Sequence, residues 1–510
     1  MNIFEVTDIV QVKSKAELSM LMLAHFDDQH IVFTGLSCID LLNANDLKDK
    51  YNLLNSRFLL IYQFQNLNDH KRIFYALALS YGQTAQSFGH LFESMTWFEA
   101  EVSRNYGVHF YRKTDRIQYE IVSPKAKYYL EKDNHLLDES QVELCSDYFA
   151  PLSVTGEEIE VPIRKFDSSI SDSKIRFNID EDHIDDVAFD FDFNKSKSIE
   201  KNIEGKGVDE AISLLLDSDL PLKNITSLLA LELSEYITSK VNSSAVKIHR
   251  MFIYEIFCAL ENLKCLERVF NRSSFNEVYQ ILNHQVETLS GLINITDIKT
   301  KEDLVKLINT EDRKWVYDVR DRIHDYQDVV TDILATVEGN KFFLNLDNYF
   351  NSNLAALGFS LKSMPLQSYG YQYNIKKYEP FYEYNDLAKA EFLALKGTTY
   401  ELLLIRLKEL KNTYSNIIKI CEEYPIIRNE SDTDTNITKS GIFLATTQVS
   451  SGEVSILSYI KEDGMLDRFH LMSPTMANLK YFSKRLKKFA LSQIACEWNA
   501  LGISEEEIIK

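Results

Sequence analysis

Apolar positions follow two rhythms along the chain, and the change from one to the other marks its organisation. In the first quarter short β-rich runs recur: His30-Ile31-Val32-Phe33-Thr34, Phe58 to Phe64 and Arg72 to Leu79. Runs of this kind, bounded by polar turn residues, predict strands. The polar, turn-prone stretch from Asn66 to Lys71 predicts a hairpin between the last two. His90 to Tyr106 has a helical period, and Gly107 is placed to stop that helix. From Val208 to about Tyr424 the helical period dominates, as in Leu214, Leu215, Leu222, Ile225, Leu228, Leu229 and Leu233. Pro221, Pro365 and Pro380 interrupt it and Pro425 follows it, so several helices packed as a bundle are expected. Strands return at Gly441 to Gln448 and Val454 to Ile460, joined through Ser450-Ser451-Gly452-Glu453. A last helix is predicted over Ala477 to Trp498.

Between these regions the composition shifts. Asp167 to Asp192 is rich in Asp and Ser, including Asp180-Glu181-Asp182 and Asp185-Asp186. It reads as a solvated linker ending in strands around Val187 to Phe193. The expected fold class is therefore α+β: a small α+β domain over 1–125, a partly acidic linker over 126–200, and a helical bundle with a small β element over 201–510. A length of 510 residues suits two or three domains, and 45% hydrophobic and 12% aromatic residues supply large cores.

The net charge of -20 argues against nucleic acid as a partner, since phosphates would repel that surface. It argues equally against broad adhesion to anionic lipid. No apolar run reaches the roughly 18 residues needed to cross a bilayer, and MNIFEVTDIVQVKSK lacks the pattern of a signal peptide. Membrane association would have to run through partner proteins. Six cysteines (Cys38, Cys145, Cys258, Cys265, Cys421, Cys496) include no Cys-x-x-Cys pair, so they read as small buried hydrophobes in a reducing compartment. His284 and His324 lack metal spacing, and Asp321, His324 and Asp325 read as a solvated helix face. Neither GxGxxG nor GxxxxGK[ST] occurs, and there is no serine nucleophile elbow.

One local motif is sharper: Trp97-Phe98-Glu99-Ala100-Glu101-Val102-Ser103-Arg104-Asn105-Tyr106-Gly107-Val108. Carboxylates two apart near a helix end would present an acidic docking edge. The segment resembles the Trp-x-Glu-Arg-Glu-x-x-Asp-x-(Phe/Tyr)-Gly signature of the thirty-kilodalton subunit of respiratory complex I. Ala100 and Arg104 depart from it. Further echoes follow in the order of the forty-nine-kilodalton subunit of complex I and the large subunit of nickel–iron hydrogenases. They are Ile199-Glu200-Lys201, Ser218-Asp219, Ala245 to Arg250 with Glu255, and Gly370 with Asn374 to Tyr384. Gly397 to Glu401 with Arg406 and Glu409, and Gly452-Glu453, Gly464, Arg468 and Ser473-Pro474, complete the series. The fused order resembles that of formate-hydrogenlyase-type hydrogenases and of the fused subunit of some bacterial complex I enzymes.

The resemblance implies a hydrogenase large-subunit-like bundle and a peripheral-arm subunit of a complex I-like or hydrogenase-like oxidoreductase. It implies an iron–sulfur partner subunit, antiporter-like and other membrane subunits, and a place on the cytoplasmic side of the inner membrane. It also implies a quinone as candidate ligand, no cofactor held directly, and the iron–sulfur cluster in the partner. Nickel and iron need four thiolates. Leu222 and Ile225 stand where the first cysteine pair should be, and Cys496 and Asn499 where the second should be. A working nickel–iron centre is thereby excluded. By the same resemblance Ser196 and Asp217 fall at the quinone pocket. Glu200, Asp219, Arg250, Glu255 and Lys376 would form a charged chain from that pocket toward the membrane arm. The alternative implied is a catalytically silent scaffold, with apolar side chains filling the former site.

Overall fold

The computed structural model describes residues 2–28, 30–111, 157–166, 173–180, 183–191, 199–240, 242–271, 275–310, 312–346, 361–378, 387, 391–425, 439–486 and 493–508. The first segment contains β1 (Asn2–Glu5), β2 (Ile9–Gln11), α1 (Lys15–Asp27), β3 (Ile31–Asp40), α2 (Asn45–Lys50), β4 (Phe58–Asn66), β5 (Arg72–Leu79), β6 (Ala85–Gln86), α3 (Met95–Tyr106) and β7 (Phe110–Tyr111). A four-stranded sheet runs β2-β5-β4-β3, with β2 parallel to β5 and the other pairs antiparallel. The β4–β5 turn closes with Asn66 N–H donating to Lys71 O at 3.0 Å. Gly107 ends α3 in the left-handed conformation at φ 68°, donating to Ser103 O.

Strand β3 outruns the expected five residues because Gly35 does not end it. A glycine inside a strand marks a bulge or a close approach, and Gly35 does both. The register with β4 shifts between Phe33 and Gly35, and a Cβ at Gly35 would lie 2.5 Å from Met472 Sδ. The first sheet thus packs tightly on the end of the chain.

The acidic stretch contains β8 (Glu157–Pro162), β9 (Lys174–Asp180) and β10 (His183–Asp190), an antiparallel sheet in the order β10-β9-β8. It is not merely solvated chain: Ile175 and Phe177 are buried, and Phe189 and Phe191 pack edge-on to Trp97 at 6.3 Å each.

The helices follow: α4 (Ile199–Ile203), α5 (Val208–Leu216), α6 (Lys223–Ile237), α7 (Ser244–Asn271), α8 (Asn276–Leu292), α9 (Lys301–Ile308), α10 (Arg313–Gly339), α11 (Lys341–Leu344), α12 (Met364–Gln367), α13 (Ile375–Tyr378) and α14 (Thr399–Glu422). The long helices α7, α10 and α14 form the bundle, with α8 against α7. Helix α14 starts at a capping box in which Thr398 and Glu401 satisfy each other's backbone N–H groups.

The chain ends with β11 (Gly441–Val449), β12 (Gly452–Ile460), β13 (Leu466–Met472), α15 (Thr475–Arg485) and α16 (Ile494–Ala500). The single last helix expected over Ala477 to Trp498 is instead this pair, the residues between them including 487–492, outside the described set. The closing sheet has the order β1-β11-β12-β13, so the first strand of the chain is an edge of the last sheet.

Gly397 precedes the α14 cap at φ 63°, and a Cβ there would lie 2.1 Å from the Tyr369 ring. That ring is pinned by a 2.6 Å hydrogen bond between the Tyr369 and Tyr481 hydroxyls. Gly397→Ala is expected to lower unfolding free energy by about 2–4 kcal/mol, backbone strain and overpacking acting together. Chemical denaturation of the two proteins checks it.

Candidate functional site

Three clusters of charged side chains involve residues singled out from the sequence, each tying together distant parts of the chain. In the first, α3, α4 and β13 meet. Arg468 on β13 donates through Nη1 to Glu200 at 2.9 Å and to Glu204 at 3.0 Å, and through Nε to Cys38 O on β3 at 3.1 Å. Glu200 also accepts from Leu471 N at 3.1 Å. Two residues along β13, and therefore on the same face of the strand, His470 places Nε2 3.5 Å from Glu101 Oε2. Its Nδ1 lies 2.7 Å from Ser37 Oγ, which accepts from Gln63 at 3.2 Å. Burial opposes the Arg468 charge, but Tyr106, Glu200 and Glu204 outweigh it and hold its pKa well above the ordinary value.

The carboxylates of the tryptophan motif do not form an outer acidic edge. Glu99 and Glu101 are 1% and 4% exposed. Glu99 accepts from Ser87 Oγ at 2.6 Å and from Phe88 N at 2.8 Å, and so fixes the turn leading into its own helix.

The second cluster centres on Glu453 in β12. Arg72 in β5 donates to both its oxygens at 3.1 Å, Lys362 approaches to 3.0 Å, and the Tyr373 hydroxyl donates at 2.6 Å. Burial alone would raise this carboxyl. Arg72 and Lys362, with the hydrogen bonds from Arg72 and Tyr373, lower it to about 2. A cavity of about 20 Å³ adjoins it, lined by Thr34, Phe98, Lys362, Glu453 and Met472 among others, room for about one water.

The third lies in the bundle. Lys376 in α13 approaches Glu255 in α7 to 2.5 Å and sits 5.0 Å from the Tyr254 ring centroid. Burial pulls the Lys376 pKa down, but Glu255, Cys258 and Glu409 outweigh it and raise it. Glu409 in α14 is pushed up to about 7 by burial, against Ser450, Arg406 and Lys376. Its proton is therefore held in the fold at pH values where the unfolded carboxyl, near 4.5, has lost it. The penalty grows as pH rises from 4.5 to 7 and is constant above. Glu409→Gln is expected to stabilise the protein by about 1–3 kcal/mol above pH 7 and by little below pH ~4. Thermal unfolding across that pH range reads the difference.

Of the residues singled out from the sequence, Glu255 and Lys376 are brought together directly. Arg250 is buried in α7 but pairs with Glu232 and Glu235 of α6, at 2.6 Å to Glu235 Oε1 through Nη2. Glu200 belongs to the separate junction cluster. Asp217 is exposed at the C-cap of α5, and Asp219 is exposed just beyond it. Ser196 lies outside the described residues, as does Cys145. A groove of about 500 Å³ between α8 and α10 is lined by residues including Ile281, His284, Tyr326 and Val329, and its lining does not include Asp217.

At the positions where the sequence resemblance would place the cysteine pairs, Leu222 and Ile225 are buried, as are Cys496 and Asn499. Asn499 donates to Phe166 O at 3.1 Å. The five described cysteines are all buried, and burial raises Cys258 and Cys265 to about 12 and Cys496 to about 11. The upward shift comes from their burial, as for thiols packed as small hydrophobes. Sequence reasoning passed over His470 entirely. The signal lay in its alternation with Arg468, readable only once β13 is recognised as a strand.

No protein-family model matches the chain, and no curated protein matches it. Among solved structures, the fold matches a subunit of the membrane-bound sulfane sulfur reductase (MBS), an archaeal respiratory membrane complex. The TM-score is 0.63 at 16% sequence identity, over 71% of this chain and 100% of that one. At that identity the likeness is one of fold. No helix among the described residues is long and apolar enough to cross a membrane.

Proposed function

We propose that this chain is a peripheral-arm subunit of a complex I-like or hydrogenase-like membrane-bound oxidoreductase. The observation that carries the reading is the fold match over the whole length of a respiratory-complex subunit. The motif order along the chain supports it independently. In this reading the chain docks on an iron–sulfur subunit and on antiporter-like membrane subunits at the cytoplasmic side of the inner membrane. It holds no nickel–iron centre, because Leu222 and Ile225 offer no ligand atom. The Glu255–Lys376 pair, with partly buried Glu409 beside it, is the part of the proposed charged chain that would pass a change at a quinone site toward the membrane. The division into a thirty-kilodalton-like part over 1–125, a linker over 126–200 and a large-subunit-like part over 201–510 belongs to the same proposal.

A second reading, a catalytically silent scaffold, is favoured by one observation. Glu200, Arg250 and Glu255 are each neutralised by internal partners, while Asp217 lies exposed at a helix end. Both readings predict the chain on membranes. In fractionated native cells it should sediment with membranes and be released by an alkaline wash, as a peripheral protein is. Recovery only in the soluble fraction would contradict both. Binding of a quinone analogue to the purified assembly, displaced by quinone, would favour the coupling subunit; its absence would favour the scaffold.

A further inference from the structure

We propose that the groove between α8 and α10 binds a small neutral molecule with an apolar body and a carbonyl oxygen, to which the Gln285 amide donates. The groove has a volume of about 500 Å³, within the range of small-molecule sites. Ile281 from α8, with Tyr326 and Val329 from α10, gives it apolar walls. Ile281 and Gln285 are one turn apart on α8, as Tyr326 and Val329 are on α10, so each helix presents a continuous side to the groove.

One group at the groove is left unsatisfied by the fold. Gln285 lines it and is 1% exposed. Its Oε1 accepts from the Tyr414 hydroxyl of α14 at 2.9 Å, which sets the way the amide faces. Its Nε2, on the other side of that amide, is buried and has no hydrogen-bond partner among the described residues. Buried amide N–H groups are nearly always paired, because an unmade bond there costs the desolvation of the donor. A carbonyl entering from the groove supplies the acceptor, and the exposed side chains of Ile281 and His284 can rotate to admit it. Two features set the rest of the ligand's chemistry. The apolar walls favour rings or alkyl groups. The exposed Glu277 carboxylate at the rim disfavours an anion, so a ketone or an amide fits where a carboxylate does not. The site does not rest on the proposed function.

Benzophenone, two phenyl rings joined by a carbonyl, is the probe, and diphenylmethane, which lacks the carbonyl, is its control. Binding of each to the full chain is followed by saturation-transfer NMR and by thermal unfolding. Benzophenone is expected to bind saturably and roughly tenfold more tightly than diphenylmethane, the worth of one hydrogen bond to a buried donor. On irradiation, bound benzophenone inserts into neighbouring C–H bonds, and mass spectrometry should place the label on peptides of α8 and α10. Gln285→Leu should abolish the preference for the carbonyl and leave diphenylmethane binding unchanged. Ile281→Trp, at an exposed position, should fill the groove and weaken both. No saturable binding by the wild-type chain, equal affinity for the two compounds, or a label placed elsewhere would overturn the site. The wild-type measurements decide by themselves, so a variant that fails to fold does not spoil the test.

Discussion

Replacing Glu453 with alanine is expected to lower the unfolding free energy by about 3–5 kcal/mol, the range for removing one partner of a buried ion pair. The change would strand Arg72 and Lys362, whose side chains are 4% and 8% exposed, and the Tyr373 hydroxyl with them. It would also remove one tie between β5 and β12, and so between the first sheet and the last. The pH dependence has a definite sign. The Glu453 carboxyl is depressed from 4.5 to about 2 in the fold. Its stabilisation, roughly 3 kcal/mol on that shift, is fully present above the unfolded value and is lost as pH falls from about 5 toward 2. Wild type and Glu453→Gln should therefore differ most in Tm near neutrality and converge toward pH ~2. A gap that stays constant with pH would show that the carboxylate charge is not what matters there.

The second large effect is expected at Arg468. Arg468→Met keeps much of the side-chain volume and removes the guanidinium that Glu200, Glu204 and Cys38 O share. Glu200, 4% exposed at its side chain, would then be a buried charge without its counterion. A loss of about 3–5 kcal/mol is expected. Its effect should exceed that of Lys461→Met, since Lys461 pairs with Asp467 on the same sheet but is 30% exposed. Urea denaturation of both variants gives the ranking, and equal effects would contradict it.

These two sites also show how far the sequence can be read. Arg468 and Glu453 were visible as family echoes, and the long helices and the β4–β5 hairpin were visible in the apolar rhythm. What the residues do in those positions was hidden, because their partners lie far away in sequence: Glu200 is 268 positions from Arg468, and Arg72 is 381 from Glu453. The β8–β10 sheet was obscured for a different reason. Its exposed positions are so acidic that composition masks the alternation of Ile175 and Phe177, and only its end near Val187 was anticipated. Strand β3 was expected only over His30 to Thr34, the β-rich run before Gly35, whereas it continues to Asp40 with Gly35 at the close approach of Met472. The paired carboxylates Glu99 and Glu101 were assigned to the surface because charge ordinarily sits there. Burial with Ser87 and His470 is a property of the tertiary contact alone.

The proposed place in a respiratory-type membrane assembly is decided by what travels with the chain. The tagged chain is purified from detergent-solubilised membranes of its native cells, and the proteins retained with it are identified and quantified. An iron–sulfur subunit and antiporter-like membrane proteins are expected in fixed stoichiometry with the chain. A chain recovered alone, from the soluble fraction, would contradict it.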